Sequence, residues 1–287
     1  MKSMGTVSET LQSGASALAG RSDSPRLDAE LLLAKVLGVS RPALIARGSE
    51  PVASERAQAY AGLIDHRMHG APVAYLTGHR EFWSLNLRVT PAVLVPRPET
   101  ELLVDLALQL LPRDFAGSVL DLGTGSGAIA LAIASERPDV KITAVEVSRA
   151  ALDVATQNSR DLGLSHIDWR LGHWFSAVPG ERFDMIVANP PYVAAGDPAM
   201  ATLAAEPALA LSPGPTGLEA LSAIAAGAPA HLRAGGRLIL EHGSDQAPAV
   251  AQFLGRHGFV GLRSHLDLSG RPRVTLGTIH SQHQEPS

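Results

Sequence analysis

The sequence predicts an α/β protein: a mostly parallel sheet with helices on both faces, preceded by a small helical unit. Three observations carry this. From Ser118 onward, short apolar runs of strand type alternate with segments of helical spacing, the pattern of successive βαβ units. Before about residue 75, apolar residues recur at helical intervals and no strand-type alternation occurs. Between the first strand of the alternating part and its helix lies a glycine-rich turn, Gly123 to Gly127.

In order along the chain, Leu27, Leu31, Leu32, Val36 and Leu37 form an apolar stripe that Gly38 ends. Ser40 is placed to cap a short helix through Ile45. Ser54 is placed to cap a longer one, with Ala57, Tyr60, Ala61, Ile64 and Met68 on one face and Gly70 at its end. The pattern then changes. Ser84 to Val89 alternates, with Leu85, Leu87 and Val89 on one side, so Tyr75 to Pro91 reads as a hairpin or extended linker. Pro96 and Pro98 punctuate the chain, and Glu99 to Leu111 returns to helical spacing. The expected strands are then Val119-Leu120, Ile142 to Val147, Ile167 to Leu171, Phe183 to Ala188 and Arg237 to Glu241, with two more closing the chain. Helices are expected after the glycine turn, up to Asp161, from about Leu218 to Leu232, and up to Gly258. Ala194 to Pro215 is a Pro/Gly/Ala-rich loop, long enough to suggest function rather than mere connection. The expected domains are residues 1–75 (helical), 76–97 (hairpin linker) and 98–287 (α/β).

Composition excludes several classes. The formal charge is 24 − 28 = −4, so there is no excess of positive charge to displace counterions from phosphates, and no stable nucleic-acid binding is expected. With no cysteine, disulfides and thiolate zinc sites are impossible, and a reducing cytoplasm is the expected setting. The histidines show no HExxH or similar ligand spacing, so no metal is expected. No apolar run approaches the ~20 residues of a membrane helix. Glu9, Gln12 and Gly14 interrupt any signal-peptide core, so the start reads as mature protein. No unsatisfied apolar face is evident, and a monomer is expected.

The turn Gly123-Thr124-Gly125-Ser126-Gly127 follows Asp121-Leu122. Glycine lets the backbone turn sharply and lets a ligand approach the main chain. The helix that follows presents N–H groups at its start. Such a turn suits a nucleoside-containing cofactor at the carboxyl ends of the strands, with Glu146, at the end of the next strand, accepting from ribose hydroxyls. Two cofactors fit. Gly123, Gly125 and Ala128 satisfy the dinucleotide fingerprint GxGxx(G/A), whereas Asp121 and the Gly-x-Gly-x-Gly form lean toward S-adenosylmethionine.

Asn189-Pro190-Pro191-Tyr192 breaks the tie. Two prolines fix φ and remove backbone donors, leaving a stiff loop with free carbonyls. Asn189 Oδ1 and the Pro190 carbonyl can each accept one N–H of a planar NH2 group, and Tyr192 can cover its face. A dehydrogenase has no use for this tetrapeptide. A methyltransferase acting on an amide or amino nitrogen does, because the loop would hold the nitrogen in line with the methyl donor.

These motifs belong with others: Asp28-Ala-Glu-Leu-Leu-Leu-Ala, Pro72-Val-Ala-Tyr-Leu-Thr-Gly, Arg80-Glu-Phe-Trp, Pro96-Arg-Pro-Glu-Thr-Glu101 and Leu120-Asp-Leu-Gly-Thr-Gly-Ser-Gly. Together they span nearly the whole chain, which resembles the PrmC/HemK family, the bacterial glutamine N5-methyltransferases of peptide chain release factors. The glycine turn and Asn-Pro-Pro-Tyr are shared with other methyltransferases; the Pro96 to Glu101 segment and the helical N-terminus are more particular to this family. The resemblance implies a Rossmann-like class I methyltransferase sheet of seven strands with a small N-terminal helical domain. It implies S-adenosylmethionine as donor and, as substrate, the glutamine of the Gly-Gly-Gln motif in class I release factors, with residues 1–75 reading that protein. It implies cofactor contacts from Gly123, Thr124, Gly125, Ser126, Gly127, Glu146, Trp174 and Asn189. Asn189, Pro190, Pro191 and Tyr192 would hold the amide, with Asn189, Pro190 and Tyr192 serving catalysis. Two positions depart from the family: Glu146 stands where Asp is usual, and His173 where an acidic residue is frequent. The structural alternative for Trp174 is a core aromatic; Glu241 and Arg271, near the closing strands, could also reach the site, but are expected to be a solvated or structural ion pair. Two other functions compete: an N-methyltransferase acting on exocyclic amino groups of DNA or RNA, and a non-catalytic cofactor-binding module.

Overall fold

In the computed structural model, which describes residues 5–280, the first part of the chain forms five helices: α1 (Val7–Ala17), α2 (Pro25–Leu37), α3 (Arg41–Ala46), α4 (Ser54–Met68) and α5 (Val73–Thr77). Residues 1–4 and 281–287, at the ends of the first and last expected domains, lie outside the described residues. The chain divides into two units between His79 and Arg80.

In the first unit, α1 starts at a capping box in which Thr6 and Glu9 satisfy each other's backbone N–H groups. Its core is built from Leu11, Leu18, Leu32, Leu33, Leu44 and Tyr60. At the edge, the buried carboxylate of Glu30 takes Arg26 and Arg41 at 2.7 and 2.6 Å, and Asp28 takes Arg67 at 2.8 Å. Three details differ from the sequence pattern. Leu27 is 39% exposed, because α2 turns Leu32, Leu33 and Val36 inward instead. Ser40 does cap α3 by accepting from the Ala43 N–H, but Ala53 occupies the cap of α4, and Ser54 is its first turn. Helix α5 occupies part of the stretch read as linker, and Gly78 ends it at φ +83°.

The second unit opens with a hairpin, β1 (His79–Phe82) and β2 (Leu85–Arg88). Trp83 and Ser84 make its turn at φ 51° and 59°, a conformation that hairpins usually assign to Asn-Gly. Trp83 is held there by its N–H to Glu101 at 2.8 Å and its indole N–H to Glu136 at 3.2 Å.

Alternation follows: α6 (Glu101–Leu110), β3 (Ser118–Leu122), α7 (Ala128–Glu136), β4 (Lys141–Glu146), α8 (Arg149–Asp161), β5 (Ile167–Leu171) and β6 (Phe183–Ala188). Two short helices, α9 (Ala199–Thr202) and α10 (Ala208–Leu211), lie in the long loop. The chain continues through α11 (Glu219–His231), β7 (Leu232–Glu241), α12 (Ala247–Arg256), β8 (Phe259–Leu266) and β9 (Pro272–Ile279).

The seven strands form one sheet in the order β5-β4-β3-β6-β7-β9-β8, parallel except for β9, which runs against both neighbours. Both faces are covered, so β3 and β6 read as nearly unbroken buried runs, Val119 to Leu122 and Met185 to Ala188. The order reverses between β3 and β6, which opens a crevice at their carboxyl ends. Among the described residues no helix is long and apolar enough to cross a membrane.

Candidate active site

A cavity of about 390 Å3 lies at the carboxyl ends of β3, β4 and β6. Gly123, Thr124, Gly125, Ser126, Glu146, Trp174, Asn189 and Pro191 line it. Gly127, Pro190 and Tyr192 are absent from its wall. Gly127 is instead the N-cap of α7 at φ +84°, where an added Cβ would lie 3.0 Å from Leu131 and from Trp169, so the turn requires glycine there.

The glycine turn is wired mostly to itself. The N–H groups of Gly123 and Thr124 both reach the Val145 carbonyl, at 2.8 and 3.1 Å, and that of Gly127 reaches the Thr124 carbonyl at 2.8 Å. The Gly125 N–H donates to Glu146 Oε2 at 2.9 Å. The buried Asp121 carboxylate accepts the Thr124 hydroxyl at 2.6 Å through Oδ2, and its Oδ1 has no hydrogen-bond partner among the described residues. Burial pushes Asp121 up to about 7, against the pull of the Thr124 hydroxyl and the nearby backbone N–H of Ala130. The turn therefore offers the cavity exposed glycine backbone rather than a row of free amides.

Glu146 is a bridge. Its Oε2 holds Gly125 and its Oε1 accepts from the Ser148 N–H, at 2.9 Å each. A carboxylate has about four acceptor positions, so two remain for a ligand. Trp174 stands at φ +47° with its ring over the turn; a Cβ on Gly123 would lie 3.2 Å from it. Trp174 is thus a wall of the cavity as well as a packing residue of the second core.

Asn158 ties the turn to the hairpin. Its Oδ1 accepts from the Arg88 N–H at 2.7 Å, and its Nδ2 donates to the carbonyls of Arg88 and Ser126 at 3.0 and 2.9 Å.

Asn189 follows β6, next to the glycine turn, because Leu122 pairs with Ala188 in the sheet. Its Nδ2 donates to Thr100 Oγ1 at 3.0 Å. Its Oδ1 accepts no hydrogen bond from the described residues. Tyr192 directs its hydroxyl to Glu241 Oε1 at 3.4 Å, and its carbonyl accepts from Gln246 Nε2 at 3.0 Å. Burial raises the Tyr192 phenol pKa, and the nearby Glu241 charge adds to this, so the phenol stays a donor. Glu241 is 1% exposed, and its Oε2 has no partner in hydrogen-bonding geometry. Burial pushes its carboxyl up to about 7, opposed by the Thr100 hydroxyl and Arg273. The Glu241–Arg271 ion pair does not form. Arg271 is exposed, and it is Arg273 that reaches Asp267, at 3.3 Å, and the His242 carbonyl.

The cavity is also lined by Ala92 to Leu94, which no motif included, by Pro96 and Arg97 of the Pro96 to Glu101 segment, and by Pro207, Leu209 and Ala210 of the long loop. Buried Glu206 joins these two stretches: it accepts the Val95 N–H at 3.0 Å and pairs with Arg97.

Residues 100–257 match the family described as the methyltransferase small domain, and residues 9–78 match the PrmC N-terminal domain. A release factor glutamine methyltransferase of Xylella fastidiosa is 50% identical over 254 residues, covering 88% of this chain and 92% of the relative. One of the same name from Pseudomonas aeruginosa is 48% identical over 258 residues, covering 89% and 93%. Among solved structures, a methyltransferase from Pyrococcus furiosus is similar in fold, with a TM-score of 0.53 at 19% identity over 68% of this chain and 89% of that one.

Proposed function

The chain belongs to the release factor glutamine methyltransferase family, and from that premise we propose that it methylates the side-chain amide nitrogen (N5) of the glutamine in the Gly-Gly-Gln motif of class I peptide chain release factors, with S-adenosylmethionine as donor. The observation that carries the reading is the meeting of two loops in one cavity. The glycine turn with Glu146 suits the donor, and Asn189, from the neighbouring strand, suits a planar amide.

The cavity fits S-adenosylmethionine better than a dinucleotide. A pyrophosphate is held by free backbone N–H groups, and most of those in this turn are engaged internally. Glu146 keeps two acceptor positions for ribose hydroxyls, and Trp174 offers an aromatic surface for a base. When bound, the cofactor supplies a methyl group on a positively charged sulfur.

An amide nitrogen is a weak nucleophile, because its lone pair is shared with the carbonyl. The chain's task is to hold that nitrogen and favour the charge that develops on it. Asn189 Oδ1, at the cavity wall, accepts one of its N–H groups; the Pro190 carbonyl, which is outside that wall in this structure, would have to turn toward the site to accept the other. As the nitrogen gives up electron density, those N–H groups become stronger donors. The same acceptors then bind the transition state more tightly than the ground state. Pro190 and Pro191 stiffen the loop so that Asn189 is oriented in advance. Tyr192 braces the loop from behind through Glu241.

The helical unit has its own core, and none of its described residues lines the cavity, so its part is to read the protein substrate. The test is incubation with labelled S-adenosylmethionine and, separately, release factor, bulk RNA and bulk DNA, followed by mass mapping. Label on the glutamine of Gly-Gly-Gln supports the reading; label on nucleic acid alone overturns it.

A further inference from the structure

Asn189 works in this reading only if its amide faces one way, with the oxygen toward the cavity. Nothing in the tetrapeptide itself fixes that choice, since an asparagine amide is nearly symmetrical in shape. The surroundings do. Asn189 Nδ2 donates to Thr100 Oγ1 at 3.0 Å, and Thr100 is 4% exposed. The Thr100 hydroxyl interacts in turn with the carboxyl of Glu241, itself 1% exposed. Glu241 stands one residue beyond Leu240, which pairs with Ala188, so it lies beside Asn189 at the ends of neighbouring strands. Tyr192 reaches the same carboxyl from the other side.

We propose that Glu241 and Thr100 are positioning residues that set the polarity of the Asn189 amide. This inference rests on the amide-methylation reading. The chemistry is a matter of donors and acceptors. An ionised carboxylate only accepts, and a threonine hydroxyl has one proton. Above about pH 7, where Glu241 is ionised, it draws the Thr100 proton toward itself and leaves Thr100 as an acceptor on its other side. Asn189 can then present only its NH2 to Thr100, and its Oδ1 turns to the cavity. A flipped amide would set oxygen against oxygen and lose the bond. Glu241 is not needed for the sheet: its Oε1 takes the Tyr192 hydroxyl, and among the described residues it makes no ion pair and its Oε2 has no hydrogen-bond partner.

The test uses the full chain at pH 8 with Thr100→Val, Thr100→Ala, Thr100→Ser and Asn189→Ala, alone and combined, on intact release factor. Thr100→Val is expected to lower kcat by about 10–100-fold, the scale of a misoriented reacting group. KM for release factor and the Kd of S-adenosylhomocysteine should stay within about threefold, because neither reports the polarity of that amide toward the substrate nitrogen. Thr100→Ser keeps the hydroxyl and should restore kcat. The double variant Thr100→Val/Asn189→Ala should be no slower than Asn189→Ala alone, because the relay acts only through Asn189. If Thr100→Val fails to fold, Thr100→Ala takes its place in the same cycle. Wild-type kcat in Thr100→Val, failure of serine to restore it, or full additivity with Asn189→Ala overturns the relay. A wild-type protein that leaves release factor unmethylated defeats the substrate reading instead, so the two failures are distinct.

Discussion

Replacing Glu146 by alanine removes four acceptor positions at once, two of them already in use. Glu146 holds the Gly125 and Ser148 N–H groups at 2.9 Å each, and the side chain is buried at the cavity wall. The two spare positions are those assigned to ribose hydroxyls. Hydrogen bonds to a charged group contribute about 1.5–3 kcal/mol each and do not add fully, so the ribose pair is taken as roughly 2–4 kcal/mol. At 1.4 kcal/mol per tenfold, affinity for S-adenosylhomocysteine should fall by roughly 30- to 1,000-fold. Gly125 and Ser148 both line the cavity, where water can replace the lost acceptor. The stability loss should therefore stay near about 1–2 kcal/mol, a fall of a few degrees in Tm for a unit of this size. Calorimetric titration with S-adenosylhomocysteine, beside a thermal melt without ligand, separates the two effects. An affinity within about threefold of wild type would refute the ribose assignment. A fall in Tm large enough to leave the protein unfolded at the titration temperature would show that the bridge matters for the fold before the cofactor.

Three further outcomes are expected. Asn189→Ala should lower single-turnover methylation on the order of 10²–10³-fold, as for loss of one preorganised polar group; near-normal turnover would remove Asn189 from the chemistry. Glu241→Gln should melt higher than wild type at pH 8 but not at pH 5. Burial raises this carboxyl from 4.5 to about 7, so the fold binds its proton more tightly than the unfolded chain does; the associated stability is present below about pH 4.5 and is lost as pH rises through about 7. A neutral glutamine escapes that loss, a difference on the order of 2–3 kcal/mol, and melts at the two pH values check it: an equal shift at both would contradict the buried-charge account. Finally, a chain lacking residues 1–79, once shown to be folded, should bind S-adenosylhomocysteine within a few-fold of the full chain and lose methylation of intact release factor mainly through KM. Full-length kinetics from that truncation would remove the recognition role.

Much of the site was legible because its parts are local. The glycine turn, Glu146 and Asn-Pro-Pro-Tyr each sit at the end of a strand, and a short stretch of sequence carries both the strand and the residue. The seven-stranded, mostly parallel sheet followed from the alternation of those same strands with helices. What stayed hidden depends on pairing at a distance. Thr100 meets Asn189 across 89 positions, and Tyr192 meets Glu241 across 49, so no local pattern marks either. Glu241 looked like half of an ion pair because Arg271 is near it in the chain's last strands. Arg271 lies in the turn just before β9 and is exposed, whereas Arg273 lies within the strand and is the arginine near Glu241. That the Val145 carbonyl and Glu146 take amides of the glycine turn is also beyond local pattern, because both acceptors come from the neighbouring strand. Helices α9 and α10 are four residues each, too short to show a period. Trp83-Ser84 has none of the usual turn chemistry, and Glu101 and Glu136 hold Trp83 in the left-handed conformation instead.

The two loops that meet in the cavity leave β3 and β6, which are neighbours in the sheet but lie far apart in sequence, with α7, β4, α8 and β5 threaded between them. Parallel neighbours of this kind close only after the intervening crossover has formed, and such non-local pairing is slow. A partly refolded chain with its helices and its β3–β4 pair intact would therefore still be inert, because donor and acceptor would have no common wall. Recovery of methylation after dilution from denaturant should track the slowest structural phase, lagging the return of helical signal rather than accompanying it.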